Sequence, residues 1–331
     1  MNRFVVIDGN AIIHRAFHAL PPLTSKKGEI VNAVYGFFSM FLKILQDLKP
    51  SYIAVCFDRP KPTFRQELYV GYQAKRPKMA DELVPQIQII HDILDKAKIS
   101  IFEIDGYEAD DLIGTLAVQA LRAEVAPLSG APRLASPAAG SSRVSGLEVI
   151  IVSGDRDMLQ LVNSHVKVLA PVVGITNMLL YDSQKVEEKY GIKPEQIIDY
   201  KALVGDPSDN YPGVSGIGPK TASKLILEYE TLDGIYKHLD DIKKKNEALA
   251  VKLAEGAEAA GLAKKLATIV TDAPISLDIK KCSCLDFDTK NLLASFDELG
   301  FKSLVKRVQN NGAVKEIKEE KKPENPQLGL L

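Results

Sequence analysis

Cysteine is scarce in this 331-residue chain, with Cys56, Cys282 and Cys284 the only three. So sparse and odd a set excludes a disulfide framework and fits a reducing compartment. Cys282 and Cys284 stand one residue apart, but no second Cys/His pair follows, so they are read as small semi-buried residues and not as half of a zinc site. An excess of one charge is missing too. Lys and Arg number 42 against 43 Asp and Glu, for a net charge of −1. A uniformly basic nucleic-acid binder is thereby excluded, and any surface for DNA must be a local patch offset by acid elsewhere. No apolar run reaches transmembrane length, and MNRFVVIDGN lacks the apolar core of a leader, so a cytoplasmic protein without membrane contact is expected. The five histidines form no catalytic arrangement, and His14 and His18 are assigned to packing or hydrogen bonding near the Asp8 loop, with contact to nucleic acid the alternative. No internal repeat occurs.

What is present is a chain 46% hydrophobic and 26% charged, enough for one large domain or two modest ones. Phe4–Asp8, Tyr52–Phe57 and Leu147–Ser153 are short apolar runs that read as buried strands, and Ser100–Ile104 as a shorter one. Asn32–Leu48 carries apolar residues at helical spacing, and further helices are expected at Pro85–Ala97 and Ala109–Ala123. Strands alternating with helices predict an α/β fold with a mostly parallel sheet flanked by helices. The stretch 127–145 (PLSGAPRLASPAAGSSRVS) is low in complexity and reads as a flexible surface insertion. Beyond about Pro194 the pattern turns helical, at Glu195–Val204, Pro219–Tyr229, Leu232–Leu239, Asn246–Ile269 and Thr289–Val308, before a charged tail expected to be disordered.

The acidic residues fall where strands end. Asp8 follows FVVI, and Asp58 follows YIAVCF. Glu108, Asp110 and Asp111 follow SIFEI, and Asp155 and Asp157 follow VIIVSG. Open parallel sheets bind ligands outside the carboxyl ends of their strands, so these segments deliver seven carboxylates to one edge. Asp206 and Asp209 open a glycine-rich turn and extend the set. Ionised carboxylates within about 4–6 Å of one another raise each other's pKa, and divalent cations relieve the conflict. An all-oxygen set favours Mg²⁺ or Mn²⁺ over zinc, and two ions about 3.5–4 Å apart suit phosphodiester hydrolysis.

Two further segments point to nucleic acid. Arg59–Lys78 interleaves Arg59, Lys61, Arg65, Lys75, Arg76 and Lys78 with Phe64, Tyr69 and Tyr72. Cations for phosphates and rings for bases suit a single strand, and the segment follows Asp58 directly, as an arch over the metals would; a solvated connector is the plainer alternative. In Gly213-Val-Ser-Gly-Ile-Gly-Pro-Lys-Thr221, glycines allow close backbone approach and a helix N-terminus presents its amides, with Lys220 and Lys224 adding charge. The spacing is not that of a nucleotide P-loop.

VVIDGN with HRAFHAL, NAVYGF, FDRPKPTFRQELYVGYQAKRP, GYEADD, SGDRDMLQLV and VGDPSDNYPGVSGIGPKTA together resemble the 5′ nuclease domain of bacterial DNA polymerase I and its flap endonuclease relatives. The resemblance covers about residues 3–230. It implies a PIN/flap-endonuclease-like core over residues 1–193 with a helical arch at 59–98. A helical region with a helix-hairpin-helix follows at 194–310, and then a tail at 311–331. It implies a structure-specific 5′-3′ exonuclease and 5′-flap endonuclease of primer removal and repair, acting on flaps, nicked or gapped duplex and RNA–DNA primer ends. Asp8, Asp58, Glu108, Asp110 and Asp111 match a first-metal group, with Asp111 in its outer shell. Asp155, Asp157 and Asp209 match a second, with Asp206 a further acidic position. Arg65, Arg76 and Tyr72 match arch residues acting at the scissile phosphate, with Lys75 and Lys78 beside them. Gly213, Gly216, Gly218, Lys220, Thr221 and Lys224 match the element that grips the downstream duplex and holds K⁺ on its carbonyls. The implied protein is a bacterial, nucleoid-associated monomer.

Gln73 departs from the family's usual lysine after the tyrosine, which weakens one expected phosphate contact. No polymerase region follows, so the chain reads as a stand-alone nuclease or as a piece cut from a longer polymerase. Gln327, Leu328, Leu330 and Leu331 resemble a short sliding-clamp-binding peptide, with Leu331 in place of an aromatic; a meaningless apolar end is the alternative.

Overall fold

β1 (Asn2–Asp8) owes its buried run to a central place in a six-stranded sheet. The structure, a computed structural model, describes residues 2–123, 146–174 and 177–310. The insertion expected at 127–145 and the tail with Gln327–Leu331 lie outside the described residues.

β2 (Tyr52–Cys56), β3 (Ser100–Phe102), β4 (Leu147–Val152), β5 (Val166–Val173) and β6 (Asn177–Tyr181) complete the sheet in the order β3-β2-β1-β4-β5-β6. Only β6 runs antiparallel, against β5. Because successive side chains alternate faces, Phe4 and Val6 enter one core while Val5 and Ile7 enter another. Helices cover both faces, which is why β1, β2 and β4 read as continuous apolar runs.

The helices in chain order are α1 (Gly9–Ala19), α2 (Asn32–Leu48), α3 (Phe64–Leu68), α4 (Val84–Lys96), α5 (Ala109–Arg122), α6 (Ser183–Tyr190) and α7 (Ile197–Val204). A two-stranded ribbon of β7 (Gly205–Asp206) and β8 (Tyr211–Pro212) precedes α8 (Pro219–Tyr229), α9 (Leu232–Lys237), α10 (Leu239–Lys245), α11 (Glu247–Glu255) and α12 (Ala257–Ala267). α13 (Thr289–Leu299) and α14 (Lys302–Asn310) end the described chain. One core joins α5 to the helices from α7 to α12 on a single sheet face, through Leu112, Leu116, Leu203, Ile226, Leu253 and Ala260. The opposite face carries α1, α2 and α4, and also α13 and α14, whose Phe296 ring meets Phe38 edge-on at 5.1 Å. The C-terminal helices therefore share both cores with the sheet and do not build one of their own.

Several expectations need correction. β5 and β6 went unread as strands. Asn246–Ile269 is two helices, because the chain turns at Gly256, where a Cβ would lie 2.6 Å from Val214. Thr289–Val308 breaks at Gly300, whose φ is +81°. The segment 59–98 does not stand away as one arch. α4 is packed in the core through Ile90, Ile93 and Leu94, and between residues 59 and 78 only the five-residue α3 is helical.

Extended chain between α12 and α13 is strapped along α5. Asp111, Thr115 and Gln119 lie one turn apart on that helix. They accept the backbone N–H groups of Val270 (2.8 Å), Ala273 (3.0 Å) and Leu277 (2.7 Å). Gln160 adds a bond from Ile269 N–H at 2.9 Å. These side chains replace the partners that an extended, buried backbone needs.

Candidate metal centre and nucleic-acid interface

The strand ends do deliver their carboxylates to one edge. Asp8 caps α1, accepting from Ala11 N–H at 2.9 Å, while Ser153 Oγ–H donates to its other oxygen at 2.6 Å. The Asp58 carboxylate, open on its outer side, accepts from Ala109 N–H at 2.7 Å, tying the end of β2 to the start of α5. Ser153 also accepts from Asp155 N–H (2.9 Å), and Asp155 from Asp157 N–H (2.8 Å), so the turn after β4 aligns both acids.

Burial and one another's charge act on these groups. Burial, and then the neighbouring charges of Asp58 and Asp155, push Asp8 up to about 7 despite the Ser153 bond. Burial lifts Asp110 far above the carboxylate range, with Asp155, Asp8, Glu108 and Asp58 adding to it. Asp58 and Asp155 move up for the same first reason. Among the described residues, Asp8, Asp58, Asp110 and Asp155 form no ion pair. Glu108 reaches about 7 through burial, against the pull of Arg65. It accepts from Thr63 Oγ–H (3.2 Å), Tyr72 O–H (3.1 Å) and Arg65 Nη1–H (3.2 Å).

The second group differs. Asp157, Asp206 and Asp209 each offer an oxygen within 4.8 Å of the others. Lys201, which the sequence reading missed, donates from its ammonium to Asp157 and, at 2.6 Å, to Asp206. Burial raises Asp206, but Lys201 and Ser208 more than offset this and hold it below its ordinary value. Arg76 Nη2–H donates to Asp209 at 2.6 Å, and Gln73 N–H donates to the Asp209 carbonyl at 2.8 Å. Burial still lifts Asp209.

Arg65 and Asp111 stand apart from expectation. Arg65 is 2% exposed and Asp111 0%. Both arms of the guanidinium meet the carboxylate at 2.8 Å, and its other N–H groups go to Glu108 and to the carbonyls of Leu266 (2.9 Å) and Thr268 (2.8 Å). Asp111 oxygens also take the N–H groups of Val270 and Glu108. With these bonds made, the pair is buried: the Arg65 guanidinium is fully engaged and not free at the surface to meet a phosphate, and the Asp111 oxygens are taken up by Arg65 and by backbone N–H groups. Tyr72, 5% exposed, packs face to face with Tyr211 at 6.4 Å. It holds Glu108 and offers no exposed ring for a base.

Lys75, Arg76 and Lys78 are exposed; Arg76 stands on Asp209, while Lys78 pairs with Asp81 at 3.5 Å. In the glycine turn, a Cβ on Gly213 would lie 2.3 Å from the Leu203 carbonyl, and Gly216 has φ +75°. Val214 and Ile217 plug the turn into the core. Gly218 is the N-cap of α8, and Lys220 and Lys224 lie exposed on that helix, with Thr221 half-buried.

The all-oxygen set fits hard divalent ions, and the ammonium seated between Asp157 and Asp206 shows that this part of the cluster draws positive charge. Fold and site thus define a nuclease-like class with acidic groups at a parallel sheet edge. Residues 3–130 match the family model for the 5′-3′ exonuclease N-terminal resolvase-like domain, and residues 192–290 match that for the 5′-3′ exonuclease C-terminal SAM fold. DNA polymerase I of Bacillus subtilis (strain 168) is 39% identical over 311 residues, 94% of this chain and 33% of that protein. DNA polymerase I of Bacillus caldotenax is 40% identical over 321 residues, 97% of this chain and 33% of that protein. The T5 D15 protein, co-crystallised with metal ions, superposes with a TM-score of 0.61 at 17% identity, covering 96% of this chain and 99% of that one. The catalytic core of Rad2 in complex with DNA substrate gives 0.56 at 14%, covering 96% and 92%. The chain belongs to the 5′-3′ exonuclease family. It spans about a third of the length of the curated relatives it matches. Among the described residues no helix is long and apolar enough to cross a membrane.

Proposed function

We propose that this chain hydrolyses DNA phosphodiester bonds as a structure-specific 5′-3′ exonuclease and 5′-flap endonuclease, acting in primer removal and repair. The observation that carries the reading is the trio Asp157, Asp206 and Asp209, with oxygens within 4.8 Å of one another, together with the further acids Asp8, Asp58, Asp110 and Asp155, which follow the strand ends and influence one another's charge without an ion pair among the described residues. Two Mg²⁺ ions, or Mn²⁺ in their place, fit the oxygen set. Asp8, Asp58, Glu108 and Asp110 would hold one, and Asp157, Asp206 and Asp209 the other; Asp155, which the resemblance places in the second group, influences Asp8 and Asp110 as well as Asp209 and would serve between the two. Bound there, such ions supply an acidified water and charge neutralisation at the leaving oxygen.

The chain's own groups do the rest. Arg76, with half its side chain in solvent, reaches a phosphate beside Asp209. Lys75 and Lys78 neutralise the backbone of a frayed strand. Tyr72, Arg65 and Thr63 fix Glu108 from behind. The α8 N-terminus, with Lys220, Thr221 and Lys224, grips the downstream duplex, and the Gly213–Gly218 carbonyls suit K⁺. Flaps, nicks, gaps and RNA–DNA primer ends are the substrates, met by a monomer. Gln327, Leu328, Leu330 and Leu331 recruit a sliding clamp; unchanged clamp binding after deletion of 327–331 removes that part.

A labelled 5′-flap DNA tests the reading. Cutting is expected with Mg²⁺ and not with EDTA. Asp155→Ala should abolish cutting while DNA binding persists, and full activity in that variant contradicts the assignment.

A further inference from the structure

The two acidic groups differ in one respect that their carboxylate content does not suggest. Asp8, Asp58, Asp110 and Asp155 have no ion pair among the described residues, whereas Asp157, Asp206 and Asp209 each have one. Lys201 serves two of the three. It lies in the last turn of α7, with its neighbours Ala202 and Leu203 fully buried. Its side chain is only 15% exposed, against 10% for Asp157 and 13% for Asp206. A lysine so covered is rare unless paired, and here the pairing is with two of the three aspartates that offer oxygens within 4.8 Å of one another. Arg76, on Asp209, has a side chain 51% exposed and can swing out at little cost. Lys201 has no such freedom without a replacement cation for the two aspartates.

We infer that Lys201 is a built-in counter-ion of the second acidic group, which a divalent ion must displace, so that the chain itself fixes the order of loading: the Asp8–Asp110 group first, the Asp157–Asp206 group second and more weakly. This rests on the reading that the cluster binds divalent ions. The physical ground is direct. A divalent ion takes carboxylate oxygens at about 2.0–2.1 Å for Mg²⁺, and an ammonium bonded to the same oxygens both blocks that approach and repels the incoming charge. The first group carries no side-chain cation on its oxygens among the described residues, so an incoming ion displaces only protons there. The second offers charge already neutralised, so the net gain on binding is smaller. In the metal-free protein Lys201 keeps Asp157 and Asp206 from repelling each other, and it holds α7 to the turn after β4.

Calorimetric titration of the metal-free chain with MnCl₂, native and Lys201→Met, tests the inference without any substrate. The native chain should show a tighter and a weaker event. In Lys201→Met the weaker event should tighten by about tenfold or more, in line with the coupling of close charge pairs, while the tighter one stays put. A weaker event left unchanged, or weakened further, overturns the inference while leaving the metal reading intact. No Mn²⁺ binding by the native chain removes both. Should Lys201→Met fold only with Mn²⁺ present, that dependence supports the counter-ion role. The native chain supplies an independent measurement: the lysine ammonium NMR signal assigned by its absence from Lys201→Arg. It should be present without metal and be lost as Mg²⁺ fills the second event. A signal unchanged through both events overturns the inference even if Lys201→Met does not fold.

Discussion

Arg65 and Asp111 face each other as a buried bidentate pair, 2.8 Å on each arm, directly behind the Glu108 carboxylate. Removing one partner leaves a charge in the interior without compensation, which costs about 3–5 kcal/mol. Arg65→Met should lower the urea-unfolding free energy by that order. Arg65→Lys should recover little, because one ammonium cannot replace a planar fork. A variant of native stability with only its turnover reduced would return Arg65 to the phosphate and contradict the buried role.

Metal-free stability should depend on pH in a direction set by burial. Asp8 and Glu108 are each lifted to about 7, from ordinary values of 3.8 and 4.5. The folded chain therefore keeps protons that the unfolded chain has already released. The resulting stability is full below about pH 4 and is lost as pH rises through about 7. In EDTA, Tm should fall between about pH 5 and pH 8, and Asp8→Asn should flatten part of that fall. Saturating Mg²⁺ should flatten it as well. A Tm that rises with pH over this range contradicts the cluster's electrostatics.

Tyr72 is buried and anchors the Glu108 carboxylate. Its hydroxyl bonds Glu108 at 3.1 Å. Tyr72→Phe should keep the ring packing on Tyr211 and reduce divalent-ion affinity by about tenfold, the lower end for groups that orient metal ligands. Unchanged Mn²⁺ affinity together with weaker single-strand binding would instead favour base stacking.

Lys220 and Lys224 lie exposed on α8. Each change to Ala should weaken binding of duplex-containing DNA similarly across sequences and reduce the salt slope by about one. Binding by either variant with an unchanged slope, in a titration of KCl by fluorescence anisotropy, would place the duplex elsewhere.

The parts of the fold legible in the sequence are those where one force dominates. FVVID, YIAVC and LEVIIV are buried on both faces, so hydrophobic runs mark them, and their terminal acids mark the sheet edge. β5 and β6 were hidden because they form the edge pair, where Leu179 is exposed and Pro171 and Asn177 dilute the pattern. The helix breaks at Gly256 and Gly300 depend on a tertiary neighbour and on a left-handed turn within sequences that otherwise continue helically. Arg65 looked like its basic neighbours because nothing local reveals that Asp111, on another helix, takes both arms. Lys201 was overlooked for the same reason, although it precedes Asp206 by little more than one helical turn. The strap against α5 is invisible in sequence, since its backbone is satisfied by Asp111, Thr115 and Gln119 from far along the chain.

Crystals soaked in MnCl₂ and measured at the manganese absorption edge test the central claim most directly. An anomalous peak is expected among the oxygens of Asp8, Asp58, Asp110 and Asp155, with a second beside Asp157 and Asp206 at higher concentration. Saturating Mn²⁺ with no peak at that sheet edge would contradict the account.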